Sequence, residues 1–299
     1  MVIPLDQRPR SGPYSGLNAR SAKRFLTQAF TEAGLPFAED DALEIVLDAT
    51  GFDATTLMLR GTEFLGPEVF EVIKDHMARR LGGEPVDHIL GWREFYGRRF
   101  AISSDVLSPR ADTETLIRAA MSALEPVKAP RLLDLGTGSG AIGLTLLAEH
   151  PDARLLATDL SDAALAVAQQ NAQALDLTDR VKFSQGAWWD AVPAEARFDA
   201  VLSNPPYIDA DAISGLEPEV ARFDPELALH GGADGLDAYR AILARAWTFL
   251  VPAGWLGFEI GFDQGASVSD LVRAAGFINV QVTPDLGGQN RIVTGHKPG

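Results

Sequence analysis

The chain has 299 residues, of which 46% are hydrophobic, and this length allows two domains that each bury a core. The absence of cysteine excludes disulfide bonds, thiolate nucleophiles and Cys-ligated zinc, and it favours a reducing, cytoplasmic setting. A formal net charge of -15 argues against broad binding to nucleic-acid phosphates, and we find neither an apolar run of the ~20 residues that a membrane span needs nor a signal-peptide core in MVIPLDQRPRSG.

The first part of the chain is predicted to be a tail followed by helices. Residues 1–17 are rich in Pro, Gly, Ser and Arg without periodicity, which predicts a flexible tail. Apolar residues then recur at intervals of three and four in three stretches, which predicts a helical bundle over residues 18–90. The first stretch contains Ala22, Phe25, Leu26, Ala29 and Phe30, the second Leu43, Val46, Leu47 and Ala49, and the third Val69, Phe70, Ile73, Met77 and Leu81.

From residue 91 the pattern changes to strands. The stretch WREFYGRRFAISSDVLSPR indicates a hairpin around Tyr96-Gly97 and then an irregular loop, so we predict a hairpin linker over residues 91–111. Over residues 112–299, strands alternate with helices, which is typical of an α/β fold with a mostly parallel sheet. The last two strands are too close in sequence for a crossover helix, so they should form an antiparallel hairpin at an edge. The predicted strands are RLLDL, RLLATD, VKFSQ, FDAVLS, GWLGFEI, INVQVT and RIVTGH.

A glycine-rich loop, DLGTGSGAIG, connects the first of these strands to a helix. Two patterns fit it: GxGxxG, which binds dinucleotides, and DxGxGxG, which is typical of S-adenosylmethionine-dependent methyltransferases. In both, glycine lets the backbone approach a ligand closely. The additional acid of the second pattern, Asp134, suits an ammonium group better than a pyrophosphate.

Two further positions are candidate contacts for the same ligand. Asp159 ends the next strand, where a carboxylate can accept both ribose hydroxyls, although an acid beside Ser161 is also typical of a helix N-terminus. Trp188 and Trp189 follow the third strand, where an indole can stack on adenine or cover the edge of the sheet. The residues alone leave both choices open.

The tetrapeptide Asn204-Pro205-Pro206-Tyr207 ends the fourth strand. Proline fixes φ and has no N–H, so the strand must stop there in one stiff shape. The Asn204 side-chain oxygen and the Pro205 carbonyl could then hold the two hydrogens of a planar NH₂ group, with the Tyr207 ring against it. Such an arrangement favours methyl transfer to an amide or an aromatic amine, whereas the four letters alone are also an ordinary turn.

The chain resembles the HemK-like (PrmC) peptide-chain release factor glutamine methyltransferases. The resemblance runs from about Gly83 to Val293 and is carried by GEPVDHILGWREFYGRRF, LSPRADTETLI, LLDLGTGSGAIGL, ATDLSDAALAVAQQNA, LSNPPYI, ALHGGADGLDAYRAI, FEIGFDQ and DLGGQNRIV. It implies a seven-stranded Rossmann-like methyltransferase sheet beside a helical substrate-docking domain. It also implies methylation of the glutamine amide in the GGQ motif of release factors, with S-adenosyl-L-methionine as donor and S-adenosyl-L-homocysteine as product.

Residue by residue, the resemblance implies three sets. The catalytic set is Asn204, Pro205, Pro206 and Tyr207, and these also bind substrate together with Arg110 and Thr113. The cofactor set is Asp134, Gly136, Thr137, Gly138, Ser139, Gly140, Asp159, Leu160, Trp188 and Asn204. We expect no metal, because the five histidines have no HxxH or HExxH spacing. We also expect a monomer that binds neither nucleic acid nor membrane.

Other functions fit parts of the sequence. An adenine-amino DNA or RNA methyltransferase would present the same planar NH₂ to Asn204, but it needs a basic groove for the flipped base. A dehydrogenase could use GSGAIG, and a nucleotide-sensing module could retain a degenerate site. The chain itself contains Gly287-Gly288-Gln289, which we interpret as a turn between the two edge strands and not as a release-factor motif.

Overall fold

The computed structural model describes residues 18–213, 215–216 and 218–299. The predicted tail, residues 1–17, lies outside the described residues. The chain divides between Leu90 and Gly91 into two compact units, which we call the helical unit and the sheet unit. In the described part of the chain, no helix is long and apolar enough to cross a bilayer.

The helical unit is built from helices that bury narrow apolar stripes. Leu26 and Phe30 of the first helix pack with Ile45 of the second in a fully buried core. Phe25 and Leu81, which the spacing places on apolar faces, are instead 57% and 42% exposed, because a small unit covers only one stripe of each helix. The described helices are α1 (Ala19–Glu32), α2 (Ala38–Thr50), α3 (Ala54–Arg60), α4 (Pro67–Leu81) and α5 (Val86–Leu90).

The sheet unit begins with a hairpin and continues into a seven-stranded sheet of order β5-β4-β3-β6-β7-β9-β8. Neighbouring strands from β5 to β7 are parallel, whereas β9 is antiparallel to both β7 and β8. This confirms the predicted mostly parallel sheet with an antiparallel edge. The strands are β1 (Trp92–Phe95), β2 (Arg98–Ala101), β3 (Arg131–Leu135), β4 (Arg154–Asp159), β5 (Val181–Gln185), β6 (Phe198–Ser203), β7 (Leu250–Glu259), β8 (Ile278–Pro284) and β9 (Asn290–His296).

The order of the strands places a ligand crevice in the middle of the sheet. The chain runs outward from β3 through β4 to β5 and then returns to the other side of β3 as β6. Crevices in such sheets open where the strand order reverses, at the carboxyl ends of the strands. The glycine loop follows β3 and Asn204 follows β6, so the two motifs meet at this point.

Two apolar cores cover the two faces of the sheet, as alternation along β3 requires. Leu132 belongs to the core that includes residues of α6 and α7, and Leu133 to the core that includes residues of α12 and α13. The helices are α6 (Glu114–Leu124), α7 (Ala141–Glu149), α8 (Asp162–Ala174), α9 (Ala210–Ile213), α10 (Pro218–Phe223), α11 (Glu226–Leu229), α12 (Asp237–Phe249) and α13 (Gly265–Ala274). The short helices α9 to α11 have too few turns to give a periodic signal and are not predicted from the sequence.

Within the sheet unit, the hairpin β1–β2 packs against the seven-stranded sheet and its helices. Phe95 and Phe100 are buried in the core that also contains α6 and α7. The side chain of Asn171 on α8 accepts from Ala101 N at 2.6 Å and donates to Ala101 O at 3.1 Å and to Ser139 O at 2.8 Å. One buried amide therefore joins β2 to the glycine loop.

Candidate active site

The glycine loop turns sharply because three of its residues have left-handed backbone. Gly136, Gly138 and Gly140 have φ of 70°, 55° and 82°, which a side chain disfavours. Gly136 N and Thr137 N both donate to Thr158 O on β4 at 2.9 Å. Gly140 is the N-cap of α7, and a Cβ there would lie 2.7 Å from Leu144 Cδ1. The loop is thus fixed to the neighbouring strand while its backbone faces the crevice.

Asp134 lies beneath this loop and is fully buried. Its Oδ2 accepts from Thr137 Oγ1 at 2.7 Å and from Gly143 N at 3.1 Å. Among the described residues, Oδ1 has no hydrogen-bond partner. Burial raises the pKa of Asp134 to about 6, although these two hydrogen bonds oppose the shift. The carboxyl group holds the loop from within, and its predicted contact with an ammonium group stays a prediction.

Asp159 joins the glycine loop to the start of α8. Its Oδ2 accepts from Gly138 N at 2.9 Å and its Oδ1 from Ser161 N at 2.9 Å. Ser161 itself is the N-cap of α8 and accepts from Ala164 N at 3.1 Å. Because Ser161 caps the helix, the Asp159 carboxylate is left at the carboxyl end of β4, beside the half-exposed Leu160.

The two adjacent tryptophans have different surroundings. Trp189 is 4% exposed, stacks on Phe249 with ring centroids 4.7 Å apart, and donates from Nε1 to Ile242 O at 2.9 Å. Trp188 has φ of 46° and lies against the glycine loop, 3.6 Å from where a Cβ of Gly136 would be. The left-handed residue separates the two rings, so that Trp188 faces the crevice and Trp189 the core.

The turn Asn204–Tyr207 starts at a well-anchored strand end. Ser203 is buried, and its Oγ donates to Leu135 O of β3 at 2.6 Å. Asn204 and Pro206 are partly exposed, whereas Pro205 is buried. Burial and the nearby Glu259 carboxyl raise the pKa of the Tyr207 hydroxyl, while Arg110 and Arg291 lower it.

Arg110 and Thr113 lie beside a buried carboxyl group. Arg110 is exposed, and its Nη2 lies 3.8 Å from Asp224 Oδ2. Thr113 is 3% exposed and hydrogen-bonds to the side chain of Glu259, the last residue of β7. Burial raises the pKa of Glu259 to about 7, against the lowering effects of Thr113, Arg291 and Arg110.

These elements enclose one cavity of about 550 Å³, a size typical of small-molecule sites. Most of the predicted site residues line it: Arg110, Thr113, Gly136, Thr137, Gly138, Ser139, Asp159, Leu160, Trp188, Asn204 and Pro206. The other four predicted site residues do not line the cavity and instead support the residues that do: Asp134, Gly140, Pro205 and Tyr207.

Part of the lining escapes sequence reasoning. The loop from Ser104 to Pro109 forms one wall, and Leu227, Ala228 and His230 near α11 form another. The block LSPR marks the first wall, but the second follows an irregular segment with no periodic signal. Within the described residues, no group of three His, Asp or Glu side chains could hold a metal ion.

Comparison with known families gives two matches. Residues 110–216 match the Methyltransferase small domain, and residues 21–91 match the PrmC N-terminal domain. The matched segments fall in the sheet unit and almost wholly in the helical unit, respectively.

Curated relatives cover nearly the whole chain. The release factor glutamine methyltransferase of Cereibacter sphaeroides is 45% identical over 94% of this chain and 99% of its own length. That of Bradyrhizobium diazoefficiens is 41% identical over 96% and 97%. Among solved structures, the hMettl16 catalytic domain in complex with MAT2A 3'UTR hairpin 6 has a TM-score of 0.55 and 19% identity over 75% of this chain and 82% of that one, which shows a shared fold.

Proposed function

The chain belongs to the family of release factor glutamine methyltransferases, and we propose that it methylates the side-chain amide nitrogen of the GGQ glutamine in bacterial peptide chain release factors. The methyl donor is S-adenosyl-L-methionine and the second product is S-adenosyl-L-homocysteine. The observation that carries the proposal is that the glycine loop, Asp159, Trp188 and Asn204 line one cavity.

The residues of the cavity fit this donor. Left-handed glycines bring the backbone of residues 136–140 close to the ligand, and the Asp159 carboxylate suits the ribose hydroxyls. Leu160 and Trp188 offer apolar surfaces to the adenine ring. The unpartnered Oδ1 of Asp134 supplies a buried negative charge near the loop, which favours the cationic end of the donor.

The bound donor supplies an electrophilic methyl carbon, and the chain's own residues orient the nucleophile. We assign the Asn204 side-chain oxygen and the Pro205 carbonyl as acceptors for the two amide hydrogens of the substrate. These two acceptors would turn the lone pair of the amide nitrogen toward the methyl carbon of a bound donor, whose sulfur would keep the electrons of the C–S bond that breaks. In-line placement of this kind removes ~7–11 kcal/mol of barrier. The released amide proton passes to solvent, so no strong general base is required.

The helical unit is proposed to dock the substrate protein. Phe37, Met58, Leu59 and Phe64 are each more than 70% exposed in that unit, where they could meet an apolar surface of a release factor. A Phe37→Ser variant should raise the KM for the release factor without changing donor affinity; an unchanged KM would remove Phe37 from the docking surface.

The setting follows from the proposed substrate. Release factors act in the cytoplasm, and a chain without cysteine suits that compartment. We propose a monomer that contacts neither membrane nor nucleic acid directly, since a formal charge of -15 opposes extended phosphate contacts.

The test is to locate the transferred methyl group. The protein is mixed with methyl-labelled S-adenosyl-L-methionine and either a purified release factor or adenine-containing duplex DNA, and the products are analysed by mass spectrometry. We expect label on the GGQ glutamine, lost in Asn204→Ala and kept in Asn279→Ala, a control on the exposed edge strand β8. Label on adenine would instead support an adenine-amino methyltransferase.

A further inference from the structure

The turn Asn204–Tyr207 must be held at both ends by other parts of the fold. Pro205 and Pro206 have no N–H and cannot donate to any carbonyl of the turn. At its start, Ser203 is secured by its hydrogen bond to Leu135 O and by pairing with Phe258 of β7. At its end, the next residue, Ile208, pairs with the segment around His230: its N donates to Leu229 O at 3.0 Å and its O accepts from Gly231 N at 2.8 Å. The carbonyl of Tyr207 takes no part in this pairing and is bound by a side chain.

The side-chain amide of Gln264 binds the Tyr207 carbonyl. Its Nε2 donates to Tyr207 O at 3.0 Å and to Gly235 O at 3.2 Å. Its Oε1 accepts from Gly261 N at 3.0 Å and lies 3.4 Å from the Tyr239 hydroxyl, whose nearer acceptor is Glu259 O at 3.0 Å. Both donors of the amide and one lone pair of its oxygen are therefore used, and they join the Tyr207 carbonyl to Gly235 and to the loop before α13.

The segment Gly231–Gly235 packs closely against the backbone of Tyr207. A Cβ at Gly231 would lie 2.8 Å from Tyr207 Cα, and a Cβ at Gly235 would lie 2.4 Å from Tyr207 O and 2.7 Å from Gln264 Nε2. Real Cβ atoms do not approach so closely, so both positions require glycine. The glycines of HGGADG thus allow the contact between this segment, Tyr207 and Gln264.

The start of α13 does not require a glutamine at position 264. It is the N-cap of α13, a position that prefers Ser, Thr, Asp or Asn. Its side chain makes no capping hydrogen bond among the described residues and points to Tyr207 instead. A local preference that is unmet beside an active-site turn is typical of a residue with another task.

We propose that Gln264 is a positioning residue for methyl transfer, which rests on the function proposed above. By fixing the Tyr207 carbonyl, it keeps the stiff turn in one orientation. The Asn204 oxygen and the Pro205 carbonyl then keep the spacing that receives a planar NH₂ group. A displacement of about 1 Å at such acceptors lowers the rate about 100-fold.

The test compares Gln264→Met, which keeps the length of the side chain and removes its hydrogen bonds, with Gln170→Met, a control exposed on α8. With a release factor as substrate, Gln264→Met should lower kcat about 10- to 100-fold and change either KM less than about 3-fold. Gln170→Met should behave as wild type. An unchanged kcat, or a loss confined to KM, would overturn the proposal.

Two further variants guard against a simple loss of folding. Tyr239→Phe removes the hydroxyl that donates to Glu259 O at 3.0 Å and lies 3.4 Å from Gln264 Oε1, and it should lower kcat less than Gln264→Met does, with native tryptophan fluorescence. Gly235→Ala displaces the same carbonyl, so the double variant with Gln264→Met should lose less activity than the product of the single losses. Multiplicative losses would show that the two residues act separately.

These measurements separate the two proposals. If the wild-type protein binds the donor and does not methylate the release factor, the proposed function fails. The predicted coupling between Gln264 and Gly235 can then still be measured by urea unfolding of four proteins: the wild type, Gln264→Met, Gly235→Ala and the double variant. Additive unfolding effects would refute the shared contact at Tyr207 whatever the substrate is.

Discussion

The buried carboxyl of Glu259 makes the stability of the sheet unit depend on pH. Glu259 is 2% exposed, and its Oε2 has no hydrogen-bond partner among the described residues. The groups that act on it are Thr113, Arg291, Arg110 and Asp112, and it in turn raises the pKa values of Tyr207 and Tyr239. Since burial is the largest effect, the neutral acid is the form that the fold prefers.

The sign follows from proton binding. The pKa is about 7 in the folded chain and 4.5 for an ordinary glutamate, so the folded state retains the proton that the unfolded state has lost between these values. The stabilisation is fully present below pH 4.5 and is lost as the pH rises through about 7. This difference in pKa corresponds to about 3 kcal/mol of unfolding free energy.

The perturbation is Glu259→Gln, which removes the titration and keeps the shape. Between pH 5 and pH 8, the wild-type protein should lose about 2.5 kcal/mol more stability than the variant, since part of the effect lies below pH 5. The assay is urea unfolding followed by tryptophan fluorescence, which reports on the sheet unit because all five tryptophans lie there: Trp92, Trp188, Trp189, Trp247 and Trp255. The titration of Asp134 occurs in both proteins and cancels.

The control is Glu195→Gln, at an exposed position, which should leave the pH dependence of stability unchanged. If the stability difference between wild type and Glu259→Gln were the same at pH 5 and pH 8, Glu259 would not be a proton-retaining group and the reasoning from burial would be refuted.

Three more predictions concern the donor site. Trp188→Ala should weaken S-adenosyl-L-methionine binding about 5- to 150-fold in calorimetry, whereas Trp189→Ala should lower the unfolding free energy by about 3–5 kcal/mol; the reverse pattern would exchange their roles. Gly140→Ala should lower the unfolding free energy in urea by about 1–3 kcal/mol more than Gly138→Ala, because only a Cβ at position 140 would clash with the Leu144 side chain. Equal losses would mean that the Leu144 side chain moves to avoid the clash. Asp159→Asn should raise the donor Kd about 10- to 100-fold, as charge-assisted hydrogen bonds weaken; an unchanged Kd would exclude the carboxylate from ribose binding.

The elements that the sequence predicts well are those with local signals. The strands RLLDL and FDAVLS end where a glycine and a proline require it, and the structure has them as β3 and β6. The strand order β5-β4-β3-β6, which brings these two ends together, has no local signal, because it depends on which side of β3 the chain returns to.

The tryptophans illustrate a second limit. Trp188 and Trp189 are adjacent and of the same residue type, so no sequence pattern distinguishes them. Their different surroundings arise from the left-handed backbone of Trp188 and from the stacking partner of Trp189, Phe249, which lies 60 positions away. A sequence pattern can therefore predict that an aromatic ring borders the crevice, but the backbone conformation decides which one. The resemblance to a family assigned Trp188, and the structure has that ring at the cavity.

The residues that sequence reasoning missed act over long separations. Asn171 contacts Ala101 across 70 positions, and Gln264 contacts Tyr207 across 57. Both bind backbone groups with a side-chain amide, a bond that any asparagine or glutamine could form in the appropriate place. Only the fold reveals which of them does so.

The tetrapeptide Asn204–Tyr207 is consequently not sufficient by itself for its proposed task. Two prolines make it stiff, but neither has an N–H that could anchor the middle of the turn, so a shift at either end displaces the acceptors. The sheet fixes one end through Ser203. The backbone pairing of Ile208, the side chain of Gln264 and the glycines of HGGADG fix the other. The position of the two acceptors for the substrate amide therefore depends on β7 and on the start of α13 as much as on Asn204–Tyr207 themselves. Neither β7 nor α13 lines the cavity.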